Sequence, residues 1–130
     1  MSIRQKITNE IMDLRDNVKF ELSEMNKLKE LVINGPSVQL MKRAIHMSYL
    51  QGQKHAIDEI SMLIEDNIND DDFLKNYQRF ETNVCNKSIE LQYEFSNYTD
   101  IPHRFDEFLD TFYSTKGQHY IVNYINSLIV

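Results

Sequence analysis

The stretch from residue 41 to 64, MKRAIHMSYLQGQKHAIDEISMLI, constrains the fold most, because a helix formed by it would be apolar on two sides. Small side chains recur at every fourth position and form a small-residue stripe, made of Ala44, Ser48, Gly52 and Ala56. Larger apolar residues recur at every seventh position on a second side, and these are Leu50, Ile57 and Ile64. A helix with two apolar sides must be covered twice. We therefore expect this helix at the centre of the fold, with another helix lying unusually close to the stripe.

A long amphipathic helix is predicted before this stretch. Ser2 and Gln5 have the spacing of a capping box. Apolar residues follow at steps of three or four in a heptad-like pattern: Ile3, Ile7, Ile11, Leu14, Val18, Leu22, Met25, Leu28 and Val32. Residues 34–36, Asn-Gly-Pro, end the helix, and Ser37 is placed to cap the next one. Because the connection is short, the first two helices are expected to form an antiparallel hairpin over residues 2–66.

A third helix is predicted after an acidic turn at residues 64–72. Aspartates and asparagines favour turns and helix caps, and acidic residues suit the positive N-terminal end of a helix. The third helix has one narrow apolar face, made of Phe73, Tyr77, Phe80, Val84, Ser88, Leu91, Phe95 and Tyr98. This side of the helix is therefore expected to pack on the hairpin.

The C-terminal part is predicted to be helical in two pieces. Pro102 fits the first turn of a fourth helix capped by Thr99 or Asp100, and this helix is expected to end at residues 114–117. Residues 118–130 favour a helix over a strand, because a strand would have no partner elsewhere in the chain. The sequence thus predicts a single all-α domain over residues 1–130. It is a helical bundle built on the N-terminal hairpin, with a third long helix and a shorter helical C-terminal section.

Charge and composition exclude several classes of protein. The net charge of −6 disfavours direct binding to nucleic acid, which depends on lysine and arginine neutralising phosphates. The single cysteine, Cys85, permits neither an internal disulfide nor a thiolate zinc cluster. The N-terminus lacks the apolar core of a signal peptide, and no apolar run approaches the roughly 18 residues that span a bilayer. We expect a cytoplasmic protein without a membrane partner.

Catalytic and cofactor motifs occur in the sequence only as fragments. Glu21 and Glu24 match the first half of the E-x-x-E and E-x-x-D pair of helical nucleotide pyrophosphohydrolases, but the second half is absent. Phosphate-cradling glycine loops and a nucleophile elbow are also absent. Two helical triplets have metal-ligand spacing, and they are His55, Asp58 and Glu59, and His103, Asp106 and Glu107. We expect no enzyme activity, cofactor or metal, and keep a metal-dependent helical hydrolase as an alternative.

Apolar residues on the outer side of the first helix are candidates for an interaction surface. Met12, Phe20 and Leu31 point away from its main apolar face, and Phe20 and Leu31 point in nearly the same direction. Two interpretations fit this pattern equally. Either these residues form a second packing surface, or the fourth helix or the C-terminus covers them.

The leading functional hypothesis is a small acidic protein that regulates or inhibits a larger protein partner, of the kind encoded by phages and mobile elements. In one variant of this hypothesis, Asp70, Asp71 and Asp72 imitate nucleic-acid phosphates at a basic groove of the partner. Besides the hydrolase, a structural or assembly subunit remains an alternative. The heptad-like first helix also leaves room for a homodimer.

Overall fold

The computed structural model of the chain describes residues 2–27 and 35–129. Within these ranges the chain forms four α-helices: α1 Ile3–Met25, α2 Ser37–Asp66, α3 Asp70–Ser96 and α4 Phe105–Ile129. No strand occurs in the described residues. The prediction of an all-α bundle is confirmed.

Side-chain caps are present at the starts of α1 and α3. The Ser2 hydroxyl accepts a hydrogen bond from the Gln5 N–H at 3.1 Å, and the Gln5 side chain accepts one from the Ser2 N–H at 3.2 Å. The capping box is thus confirmed. Asn69 caps α3, where its Oδ1 accepts a backbone hydrogen bond from the first turn at 2.8 Å. The expected cap by Ser37 is wrong, because the Pro36 carbonyl already accepts the first hydrogen bonds of α2 and Ser37 is its first helical residue.

The end of α1 comes earlier than its apolar pattern predicts. Met25 is the last helical residue, and the Asn26 N–H donates to the Ser23 carbonyl at 3.2 Å, which tightens the final turn. The Arg43 guanidinium of α2 donates a hydrogen bond to the Met25 carbonyl at 2.7 Å. It thus provides a partner for one of the last carbonyls of α1, which have no partner within the helix. The predicted apolar positions 28 and 32 lie outside the described residues.

The C-terminal helix α4 is continuous over 25 residues. The predicted end at residues 114–117 and the shorter C-terminal section are therefore wrong. Gly117 resembles a helix stop in the sequence, but it is buried inside α4 against α2. Residues 118–129 are helical, so the prediction of a helix there is confirmed and the strand alternative is wrong.

The start of α4 also differs from the prediction. Pro102 precedes the helix, which begins only at Phe105. Arg104 has a φ of 60°, in the left-handed region, and this conformation cannot belong to the right-handed helix that follows. The Asp100 carboxylate accepts a hydrogen bond from the next residue's N–H at 2.7 Å. The expected cap by Thr99 or Asp100 is therefore wrong.

Polar contacts fix the direction of α1 relative to α2. Near the start of α1, Arg4 donates to the carbonyl of Asn67, just beyond the end of α2, at 3.0 Å. Farther along, Arg15 donates to the Ser61 hydroxyl at 2.8 Å. Partners on α2 thus move back along the chain as α1 advances. The two helices are antiparallel, as predicted for the hairpin.

The central contact of the fold joins α2 and α4, which run parallel. The Ser48 hydroxyl donates to the Asp110 carboxylate at 2.6 Å, and Gly52 packs one turn farther on against Ser114. A Cβ placed on Gly52 would lie 2.6 Å from the Ser114 carbonyl carbon. A Cβ on Gly117 would lie 2.8 Å from the backbone nitrogen of Gln53. Backbone atoms cannot rotate away as a side chain can. The two helices can therefore lie this close together only because both positions are glycine.

The third helix packs mainly on α4, whereas the sequence predicted packing on the hairpin. The buried Tyr77 hydroxyl donates to the Val122 carbonyl at 3.1 Å and contacts the Asn126 side chain at 2.7 Å. At the other end of α3, the Phe95 ring meets Phe108 edge-on at a centroid distance of 5.5 Å. The largest contacts link α1 to α2, α2 to α4 and α4 to α3. Since α2 lies between α1 and α4, it is covered on two sides, as its sequence predicts.

The core lies where the first halves of α1 and α3 meet the second halves of α2 and α4. Every helix contributes fully buried apolar side chains to it, and these are Ile7, Ile11, Ile57, Ile60, Phe73, Tyr77, Ile121 and Ile125. Toward the opposite end, α2 extends beyond the part that α4 covers. This uncovered part of α2 is the region from which a candidate site can be built.

Candidate interaction surface

The outer residues of α1 that the sequence singles out are exposed. Met12 is 58% exposed and Phe20 is 65% exposed, so neither α4 nor the C-terminus covers them. Leu31 lies outside the described residues. Met12 borders a small cleft of about 140 Å³ between α1 and α2, lined in part by Arg15 and Ile64. Phe20 points away from the buried face of α1, on which Val18 is packed.

The three aspartates at the start of α3 do not form one exposed acidic patch. Asp70 turns toward the start of α1, where its carboxylate accepts hydrogen bonds from the Ile3 N–H at 3.0 Å and from Arg4 Nε at 2.7 Å. The hydrogen bond from the Arg4 side chain is the main cause that lowers the pKa of Asp70. Only Asp71 and Asp72 remain exposed. Phosphate mimicry by all three residues would require Asp70 to leave α1.

Most of the small-residue stripe on α2 lies in the contact with α4. Ser48, Gly52 and Ala56 are buried there, whereas Ala44 is exposed. A step of four residues turns the helix about 40° past a full turn, because each residue advances it by about 100°. Ala44 consequently lies about 80° round the helix from Gly52 and faces solvent.

The candidate metal ligands are not brought together. Within residues 2–27 and 35–129, no three histidine, cysteine, aspartate or glutamate side chains are grouped so as to hold a metal ion. In the first predicted triplet, the Asp58 carboxylate binds Lys54 at 2.8 Å and Arg15 at 3.4 Å. In the second, Glu107 binds Arg104 at 2.8 Å.

An apolar cleft with a basic rim lies between the first half of α2 and the middle of α4. We call it the α2–α4 cleft, and it is formed by Lys42, Ile45, His46, Tyr49, Tyr113 and Lys116. Its volume is about 420 Å³, and it is open to solvent on one side. Burial raises the pKa of Tyr49, which also packs against the Tyr120 ring at a centroid distance of 6.2 Å. This size falls within the roughly 300–1,000 Å³ typical of binding clefts.

The apolar side of α2 continues from the cleft toward the start of the helix. Val38 is 56% exposed and Met41 is 60% exposed, and both lie on the side of α2 that carries Ile45. Their spacing of three and four residues places them in one row on the helix. By its spacing in the sequence, Met41 belongs to the apolar arc of α2 that is expected to be packed, and its exposure shows that this expectation is wrong. Among the described residues, α4 begins too late to cover this row.

The charge around the cleft differs from that of the whole chain. The chain carries 20 acidic residues, yet none occurs from Ser37 to Ile57 or from Thr111 to Ile129. Lys42, Arg43, Lys54 and Lys116 lie in these two segments. Two acid-free segments in an acidic chain are the sequence signal that could have identified this surface. The overall net charge conceals it.

A second cleft, of about 450 Å³, separates α3 from α4. Its charged lining residues are Lys87 and Asp110, so it has no excess of either sign. No helix among the described residues combines the length and apolarity needed to cross a bilayer. Neither a protein-family model nor a curated protein nor a solved structure matches this chain.

Proposed function

We propose that this chain is a non-enzymatic binding protein that regulates or inhibits a larger protein partner, of the phage or mobile-element kind, in the cytoplasm. The observation that carries the proposal is the division of the apolar side of α2. From Ser48 onward this side is buried under α4, but Val38 and Met41 stay more than half exposed beside an apolar cleft. Apolar side chains that are aligned and uncovered in this way are typical of protein interaction sites.

Burial of these apolar side chains under a partner would stabilise the complex. A large apolar side chain contributes about 1.5–3 kcal/mol when it moves from water to a packed interface. Val38, Met41 and the partly exposed Ile45 would therefore supply a central apolar contact, and central apolar anchors dominate the affinity of many protein interfaces.

The experiment is affinity capture of the tagged chain from its native host, with the captured proteins identified by mass spectrometry. Three baits are compared: wild type, Met41→Asp and Met12→Asp. The two substitutions are matched, because each places a carboxylate at an exposed methionine on a helix. We expect wild type and Met12→Asp to capture the same partner and Met41→Asp to lose it. If none of the baits captures a protein beyond the untagged control, the proposed function is wrong.

A further inference from the structure

The chemistry of a partner segment can be inferred from the α2–α4 cleft. Its floor is apolar, since Ile45 and the rings of Tyr49 and Tyr113 form it. Its rim carries Lys42 on α2 and Lys116 on α4. None of the described residues that line the cleft is acidic. A ligand that fits must present apolar groups to the floor and negative charge to both sides.

Two aromatic rings lie beside the ammonium group of Lys116. Its ammonium lies 5.0 Å from the centroid of the Phe112 ring and 5.5 Å from that of Tyr113. Cation–π attraction of this kind modestly favours this position of the lysine and leaves its N–H groups able to donate. Glu21 of α1 lines a neighbouring cleft that shares His46 and Tyr49 with this one, and Asp110 of α4 lines the cleft between α3 and α4. The α2–α4 cleft itself is thus lined by two lysines and by no carboxylate.

The shape of the surface favours an elongated ligand. Val38 and Met41 extend the apolar floor along α2 by about two helical turns beyond Ile45, at a rise of 1.5 Å per residue. A row of apolar side chains bordered by charge is a groove into which an amphipathic helix can lay its apolar face. A small molecule would fill the cleft but leave this extension uncovered.

We propose that the surface formed by Val38, Met41, Ile45, Lys42 and Lys116 binds an acidic amphipathic helix of the partner protein. This inference rests on the proposed function and adds the site and the chemistry of the partner segment. The apolar face of the helix packs on the row along α2, and its carboxylates pair with Lys42 and Lys116. Complementary charge of this kind selects the partner and the orientation in which it docks.

The test uses synthetic helical peptides, each with a single tryptophan on the apolar face. Because the chain contains no tryptophan, fluorescence excited at the red edge reports the peptide alone. Three peptides share one apolar face and carry acidic, neutral or basic residues on the polar face. We expect the acidic peptide to bind at least about tenfold more tightly than the basic one, with an affinity that falls as salt is added.

A double variant, Lys42→Glu with Lys116→Glu, locates the binding site. Its matched control is Lys19→Glu with Lys75→Glu, which makes the same change in net charge at exposed residues of α1 and α3. We expect the cleft variant to bind the acidic peptide at least about tenfold more weakly, and the control variant to stay within about twofold of wild type. Circular dichroism of each variant confirms that it is folded.

Several outcomes would overturn the inference. Equal affinity for acidic and basic peptides would do so, as would equal losses in the two double variants. Light scattering that shows a dimer of the wild type, lost only in the cleft variant, would identify a second copy of the chain as the occupant. Binding of anionic vesicles or single-stranded DNA with the same lysine dependence, without peptide selectivity, would point to a non-protein ligand.

Failure of this inference is distinguishable from failure of the proposed function. If wild type and the Lys42→Glu, Lys116→Glu variant capture the same partner from the host equally well, the chain binds a protein but through another surface. If no partner is captured, the function itself is wrong.

Discussion

Replacing Gly52 tests the closest contact in the fold. A Cβ at this position would lie 2.6 Å from the Ser114 carbonyl carbon and 2.7 Å from its Cα, well inside van der Waals contact. In an isolated helix, alanine is favoured over glycine by about 0.8–1.0 kcal/mol. In this fold, the obstructing atoms belong to the backbone of α4, so the two helices must move apart, and overpacking of this kind costs about 1–3 kcal/mol for a few added methylenes.

For Gly52→Leu we expect a net destabilisation of about 3 kcal/mol or more, because four added carbons meet a backbone that cannot yield. For Gly52→Ala the gain in helix propensity offsets part of the cost, and about 1–2 kcal/mol of destabilisation remains. The free energy of unfolding is measured by urea denaturation followed by far-UV circular dichroism. At about 3–5 °C per kcal/mol for a chain of this size, Gly52→Leu should also lower the Tm by roughly 10 °C or more.

Ala44→Leu is the matched control, since Ala44 lies two steps away in the small-residue stripe but is exposed. Its free energy of unfolding should stay within about 0.5 kcal/mol of wild type. If Gly52→Ala were as stable as wild type or more stable, α2 and α4 would not approach as described. Equal losses for Ala44→Leu and Gly52→Leu would also contradict the argument.

Three further predictions concern substitutions of single residues. Asp70→Asn should remove a pH-dependent part of the stability. Because Arg4 lowers the pKa of Asp70, the carboxylate stabilises the fold above about pH 4, and this stabilisation is lost as acid protonates Asp70 in the folded state. Thermal melts of wild type and variant at several pH values measure the difference. Tyr77→Phe should lower the free energy of unfolding, measured by urea denaturation, by about 1–2 kcal/mol, because the buried hydroxyl donates a hydrogen bond to the Val122 carbonyl. Phe20→Ser should change the free energy of unfolding by less than about 0.5 kcal/mol, and a loss above about 1.5 kcal/mol would show that the ring is covered.

Helices whose apolar residues lie on one side could be predicted from the sequence. α1 has a single buried face around Ile7, Ile11 and Val18, and the capping box marks its start. In α2, two apolar sides correctly indicated a helix covered twice. The prediction was weakest for α4, because α2 and α3 cover different sides of it and its apolar residues therefore lack one clear direction. Gly117 added to the difficulty, since a glycine that permits close helix packing has the same sequence signal as a helix stop.

The α2–α4 cleft could not be predicted from spacing along the chain. Lys42 and Lys116 are distant in sequence, and only the parallel packing of α2 on α4 places them on two sides of one apolar floor. Sequence patterns also cannot show where a covering helix begins. Met41 continues the apolar side of α2, but the late start of α4 at Phe105 leaves it exposed.

Amide chemical-shift mapping of the ¹⁵N-labelled chain, during titration with the acidic amphipathic peptide, locates the binding surface most directly. We expect the largest shift changes between Val38 and Tyr49 on α2 and between Tyr113 and Lys116 on α4, while the outer face of α1 around Phe20 stays unchanged. Shift changes concentrated around Phe20 and Met12, or absent from both cleft segments at saturating peptide, would contradict this expectation.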